Sequence, residues 1–319
     1  MSRVLITGVA GFLGARLARR MVQDGWEVVG LDLVPRVDAW RLEGVKLEYR
    51  WGACQDLHVL DAPYVVHLAS QGDVPLALSA PAYTVNNNVM GTLALLEAAK
   101  RHDGLQRLVL QSSEEVYGYG PVPAKEEQSL NPTNIYGCSK AMQELMTMSY
   151  FHCWGLPMTI LRSSTLIGCE MRMTQVLPIF IGQALRDEPL TVQGDGRQTR
   201  DFNPVDNHLD ALLAALTTPR AVGRIINVGS GQERTIASLA QECIRATGSR
   251  STLQFEPHRP GEKNLRVWLD ISLARELLNY TPKVSFEEEL ERMCGWLGRE
   301  LGVTPPIRVG SPFAATTLV

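Results

Sequence analysis

The 319-residue chain contains no C-x-x-C pair, no H-E-x-x-H pattern, no block of basic residues and no apolar run long enough to cross a bilayer. The six cysteines (Cys54, Cys138, Cys153, Cys169, Cys243 and Cys294) are scattered, which favours reduced, buried thiols over a disulfide framework or a zinc site. The six histidines share no metal-binding spacing, so no metal is expected. Thirty-one basic residues stand against 34 acidic ones for a net charge of −3, leaving no electrostatic footprint for nucleic acid or an anionic membrane. Met1-Ser2-Arg3 leads straight into Val4–Ile6, with no room for a signal peptide, so a cytoplasmic location is expected. What is present, 45% hydrophobic and 20% charged residues, is ordinary globular composition and directs attention to small-molecule chemistry.

The first half alternates short apolar runs with amphipathic ones. "RVLIT", "EVVGLD", "KLEYR", "YVVHLA" and "RLVLQSS" read as strands, while "GFLGARLARRMVQDG" and "PAYTVNNNVMGTLALLEAAKRH" carry apolar residues at helical spacing. Strands separated by helices require crossovers, hence a parallel, doubly wound sheet, to which "MTILR" and "RIINVG" add. From about Met171 the texture becomes mixed. "VLPIFIGQALRD", "PVDNHLDALLAAL", "TIASLAQECIRATG" and "SFEEELERMCGWLGREL" read as helices, the last opened by Ser285 and Glu288 as a capping box, and "LTVQ" as a strand. The expectation is an α/β fold: a Rossmann-type domain over 1–170, a smaller mixed α/β lobe over 171–304 with some later elements returning to the first, and a flexible tail over 305–319.

"VLITGVAGFLG" puts Gly8, Gly11 and Gly14 where the first strand turns into the first helix. There glycine permits a tight turn and close approach of backbone to a pyrophosphate, and the helix N-terminus offers unpaired N–H groups. Asp32 ends the next strand 18 residues after Gly14, the position of a carboxylate that receives hydrogen bonds from an adenosine ribose. Its charge would repel a 2′-phosphate, favouring NAD over NADP; Arg36 is the one nearby group able to hold that phosphate. Asp56 after the third strand suits either an adenine amino group or a turn. Further on, "YGCSK" sets Tyr136 and Lys140 four apart at the start of a helix, on one face. A lysine beside a phenol, near a nicotinamide cation, favours phenolate and brings the tyrosine towards neutrality as a base. The same spacing also suits surface decoration.

Taken together and in this order, "TGVAGFLG", Asp32, "NVMGTLALLEAA", "SSEEVYG", "YGCSK", "GDGRQTRDF" and "RPGE" resemble the extended short-chain dehydrogenases/reductases that modify nucleotide sugars, over roughly residues 3–300. The resemblance implies that Ser113 holds the reacting hydroxyl, that Tyr136 is the base, and that Lys140 also binds the nicotinamide ribose. It implies NAD contacts from Phe12, Leu13, Leu57, Leu68, Ala69 and Asn88 beside those already named. For a nucleotide-diphosphate sugar it implies contacts from Ser112, Thr165, Val192, Arg200, Arg259 and Glu262, the two arginines on the diphosphate. In such enzymes a sugar hydroxyl, usually at C4, is oxidised to a ketone, which opens the way to epimerisation, dehydration or decarboxylation, with NAD regenerated. A homodimer built on helices Pro81–Arg101 and Tyr136–Trp154 is also implied.

Glu114 and Glu115 align with the acid and base of the family's 4,6-dehydratases, where Asp-Glu follows a threonine; its decarboxylases carry Ser-Glu there and plain 4-epimerases small residues. The rest of the pattern looks more like the epimerases. In "LRSSTLIGC", Thr165 takes the place of the usual asparagine and Cys169 that of a proline, so this chain departs from its relatives near the sugar. These readings favour NAD-dependent 4-epimerisation narrowly over dehydration or decarboxylation, with a 4-ketosugar reductase and a nonenzymatic NAD-binding relative behind them.

Overall fold

A computed structural model describes residues 2–258 and 265–303; Arg259, Glu262 and the tail lie outside these. The chain opens with β1 (Arg3–Thr7), α1 (Phe12–Gln23), β2 (Glu27–Asp32), β3 (Glu48–Trp51) and β4 (Tyr64–His67). It continues with α2 (Val74–Ser79), α3 (Pro81–Val85), α4 (Gly91–Lys100), β5 (Arg107–Ser113), α5 (Ile135–Trp154) and β6 (Met158–Ser163). Next come β7 (Thr165–Ile167), α6 (Val176–Leu185), β8 (Leu190–Gln193), β9 (Thr199–Arg200), β10 (Phe202–Pro204) and α7 (Val205–Thr217). The last elements are β11 (Arg224–Val228), β12 (Arg234–Thr235), α8 (Ile236–Thr247), β13 (Leu253–Glu256), α9 (Ser272–Leu278) and α10 (Phe286–Leu301).

Seven strands form one parallel sheet in the order β11-β6-β5-β4-β1-β2-β3. The order reverses at β1, so the strand ends beside it diverge into a crevice, where ligands of such sheets bind. Strands covered on both faces have no solvent side, and β5 and β6 are accordingly buried along their whole length. One face packs α1, α7 and α9 through residues such as Leu17, Met21, Leu212 and Leu277; the other packs α4 and α5 through Leu95, Leu96 and Tyr150. A separate core joins α6, α8 and α10 through Phe180, Leu239 and Met293. Elements beyond residue 171 therefore divide: β11, α7 and α9 belong to the sheet, whereas α6, α8 and α10 build the smaller lobe. The capping box of α10 forms, with Ser285 Oγ accepting from Glu288 N–H and Glu288 Oε2 accepting from Ser285 N–H.

The long helix expected from Pro81 is interrupted. A π turn over Asn86–Met90 separates α3 from α4, and such a turn widens the helix locally. Its tertiary partners account for it: the buried Asn88 side chain accepts from Gln71 N–H at 2.7 Å and donates to Ser139 Oγ at 2.9 Å. Helices α2 and α9 were too short to carry a periodic signal.

Candidate active site

Gly8 follows β1 with φ +73°, and a Cβ there would lie 2.7 Å from Ala69 N; one on Gly14 would lie 2.1 Å from Gly8 O. The glycines thus let the turn approach the chain after β4 and let α1 close onto the turn. No side chain caps α1 and no acidic residue occupies its first turn, an open N-terminus suited to a pyrophosphate. Asp32 braces this turn, accepting from Ala10 N–H at 2.8 Å and Val34 N–H at 3.0 Å. Arg36, exposed, donates to the Leu42 carbonyl at 3.0 Å, and the Asp32 carboxylate stands at the end of β2. The chain's own residues therefore fit a dinucleotide of the NAD type.

The acid–base residues arrive on β5 and α5. Ser113 is the last residue of β5, and its Oγ accepts from Glu115 N–H in the tight turn that follows. Asn134 caps α5 by accepting from Gly137 N–H at 2.9 Å and donates to Glu115 Oε2 at 2.8 Å. A Cβ on Gly137 would lie 2.6 Å from Glu115 O, so glycine here allows the helix start to lie against the carboxylate turn. Tyr136 is thereby placed beside Ser113, whose hydroxyl interacts with the phenol. Lys140 lies one turn on, its Nζ 2.9 Å from the Gln111 carbonyl and 5.9 Å from the Tyr136 ring centroid.

These groups and the glycine turn line one cleft of about 740 Å³. Gly8, Gly11, Phe12, Leu13, Gly14 and Leu68 bound one end, Ser112, Ser113, Glu114, Glu115, Tyr136 and Lys140 the middle, and Thr165 and Arg200 the side towards the smaller lobe. Burial governs the electrostatics. It pushes the Tyr136 phenol up to about 12, only partly opposed by Ser113, and pulls the Lys140 amine down to about 7 against the pull of Glu144. The expected neutral-range tyrosine is therefore not a property of the protein alone: desolvation of the phenol outweighs the help of Ser113 and Arg172. Burial likewise raises Glu114 well above the ordinary carboxylate range, opposed by Arg200 and the Thr165 hydrogen bond and reinforced by Asp201 and Glu115. Thr165 Oγ1 donates to Glu114 Oε1 at 2.8 Å, and the buried Oε2 has no partner among the described residues. Glu115 Oε1 faces Arg200 Nη2 at 3.7 Å.

Other anticipated residues stand elsewhere. Asp56 and Leu57 sit at the turn after β3 and Ala69 packs its backbone on Gly8; none of them lines the cleft, nor does Asn88, which braces α5. The Ser112 hydroxyl is committed to Glu144, itself paired with Arg162 at 2.6 Å in the interior. Val192 is fully buried in the core of the smaller lobe. Strand alternation instead turns its neighbours Thr191 and Gln193 to the cleft. Arg172 and Arg41 line the cleft without having been anticipated, since an arginine in an aperiodic segment carries no local signal. Asn134 was findable as a helix cap two residues before Tyr136.

The sequence profile of the NAD dependent epimerase/dehydratase family matches residues 4–229. A UDP-glucuronate 4-epimerase of Thermodesulfobacterium geofontis is 31% identical, covering 97% of this chain and 100% of its own. A dTDP-glucose 4,6-dehydratase of Streptomyces niveus is 29% identical, covering 98% and 97%. Among solved structures, UDP-glucuronic acid 4-epimerase from Bacillus cereus, in complex with UDP-glucuronic acid and NAD, superposes with a TM-score of 0.88 at 30% identity, covering 93% of this chain and 99% of that one.

Proposed function

Because this chain belongs to the NAD-dependent epimerase/dehydratase family, we propose that it modifies a nucleotide-activated sugar through a transient 4-ketone, and that the net reaction is 4-epimerisation. The observation that carries this reading is the convergence of Ser113, Tyr136 and Lys140 with the glycine turn on a single cleft. NAD, when bound, supplies the acceptor to which the sugar carbon gives its hydride and from which it recovers it. Tyr136 takes the hydroxyl proton as the ketone forms and returns it as the hydroxyl is restored. Ser113 holds that oxygen. Lys140 in its charged form, supported by Glu144, and the nicotinamide cation of bound NAD favour the phenolate against the desolvation of the phenol. Gly8, Gly11, Phe12, Leu13, Gly14, Asp32 and Leu68 serve the cofactor, and Arg200 with Thr191 and Gln193 the nucleotide end.

A second reading, loss of water across C5 and C6, is favoured by one feature: Glu114 is a buried carboxyl whose protonated form is stabilised, beside Glu115 with its polar partners. That is an acid next to a base. Incubation with a panel of nucleotide sugars, followed by mass and NMR, separates the two: unchanged mass means epimerisation, and a loss of about 18 units means dehydration. No product from any sugar, with NAD bound, would reject both.

The protein is further proposed to work in the cytoplasm as a homodimer. Among the described residues no helix is long and apolar enough to cross a membrane. Tyr83, Met90, Met142, Leu145 and Trp154, on the α3–α5 side, are exposed apolar groups of the kind a second copy would cover.

A further inference from the structure

The segment from Gly168 to Arg172, which follows β7, is held from the cofactor-binding half of the molecule by contacts that the proposed reaction does not use. Arg16 on α1 donates to the Cys169 carbonyl at 2.6 Å. Arg41, in the turn after β2, donates to the Glu170 carbonyl through Nε and Nη2 at 2.9 and 2.8 Å, with its guanidinium 4.3 Å from the Trp40 ring centroid. Arg172 reaches back from the segment, its Nη2 2.7 Å from the Gly72 carbonyl and its Nη1 3.5 Å from Asp73 Oδ2. The segment is drawn tight: Glu170 has a left-handed φ of 66°, uncommon for a non-glycine residue. It also sits close on the turn, since a Cβ on Gly168 would lie 3.3 Å from Phe12 Cζ. Its inner residues, Met171 and Arg172, line the same cleft as Gly8, Gly11 and Gly14.

We propose that this segment is a strap across the cofactor end of the cleft and that Arg16 and Arg41 are its latch, setting how fast NAD enters and leaves rather than how tightly it is held. The inference rests on the NAD-binding reading above. Guanidinium–carbonyl bonds are charge-assisted and therefore strong for their number. These join protein to protein and use no ligand atom, so on this proposal they are made in both the free and the NAD-bound forms. Breaking them lowers the barrier to entry and to exit alike and leaves the equilibrium nearly where it was. Slow exchange suits a redox-neutral cycle in which the cofactor is regenerated in place.

The test uses NAD-loaded protein, with exit followed by exchange against excess isotope-labelled NAD and Kd by equilibrium dialysis. Arg41→Met should speed exchange about tenfold or more, the scale of one lost charge-assisted hydrogen bond, with Kd nearly unchanged. Arg16→Met should act in the same direction, and Arg41→Lys, which retains a donor, should fall between. If Kd weakens in step with the exchange rate, Arg41 is a direct ligand and the latch is overturned. An exchange rate unmoved in both methionine variants also overturns it. A wild type that binds no NAD would remove the cofactor reading, and the strap with it, before any variant is made.

Discussion

Desolvation pushes both Tyr136 and Glu114 towards their protonated forms, yet the proposed chemistry uses them differently. The phenol must ionise during the reaction, so Tyr136→Phe should remove oxidation while leaving NAD content intact. A loss of about 10² to 10⁴ in the single-turnover rate is the size expected for a positioned base, and a near-normal rate would exclude Tyr136 from that role. Glu114 need never ionise if it only donates a hydrogen bond, and Glu114→Gln preserves such a donor. Epimerisation should therefore survive Glu114→Gln, whereas water loss, which consumes the carboxyl proton, should fall by about 10² to 10⁴. Glu115→Gln adds the complementary reading. It should leave hydride transfer intact, and it should abolish C5 exchange with D₂O if that carboxylate is a base.

The elements matter through the way they are tied to one another. Helix α5 carries Tyr136 and Lys140, and its cap, Asn134, also holds Glu115. Asn134→Ala removes both bonds and should cost about 1 kcal/mol of stability. Asn134→Asp retains the capping oxygen but sets a second carboxylate against Glu115, so it should melt like the wild type in denaturant and turn over more slowly. Farther along the same helix, Glu144 meets Arg162 of β6 inside the protein. Arg162→Met would strand a buried carboxylate, a change that typically costs about 3–5 kcal/mol. Denaturant unfolding of that variant measures how firmly α5 is anchored to the sheet.

For the whole molecule, two buried histidines link stability to pH. His67 lies between Thr7 and Thr92, and His208 bonds Gln111; burial lowers both from 6.5 to about 3. Between those values the unfolded chain binds protons that the folded one refuses. Stability is therefore full above about 6.5 and falls as pH drops towards 3, at a rate of about 1.4 kcal/mol per pH unit for each histidine at the steepest. His208→Gln should flatten that dependence in melts taken between neutral pH and 4, and an unchanged slope would show that other groups dominate acid unfolding. Assembly is read separately: light scattering that finds only monomer at micromolar concentration, a usual working range, would exclude the homodimer.

The sequence by itself determined what depends on near neighbours along the chain. Strands of period two, helices of period 3.6, the glycine turn at Gly8–Gly14, Asp32 at the end of β2 and the Tyr136–Lys140 pair were legible because a few consecutive residues carry each signal. The tertiary structure alone decided what depends on burial or on distant partners. Thr165 meets Glu114 across 51 residues and Arg16 meets Cys169 across 153, separations at which no local pattern survives. The bond of Arg36 to the Leu42 carbonyl, the burial of Val192 and the π turn at Asn86–Met90 likewise follow from contacts between segments. So do the protonation preferences of Glu114, Tyr136 and Lys140, because desolvation belongs to the folded surroundings and not to the residue.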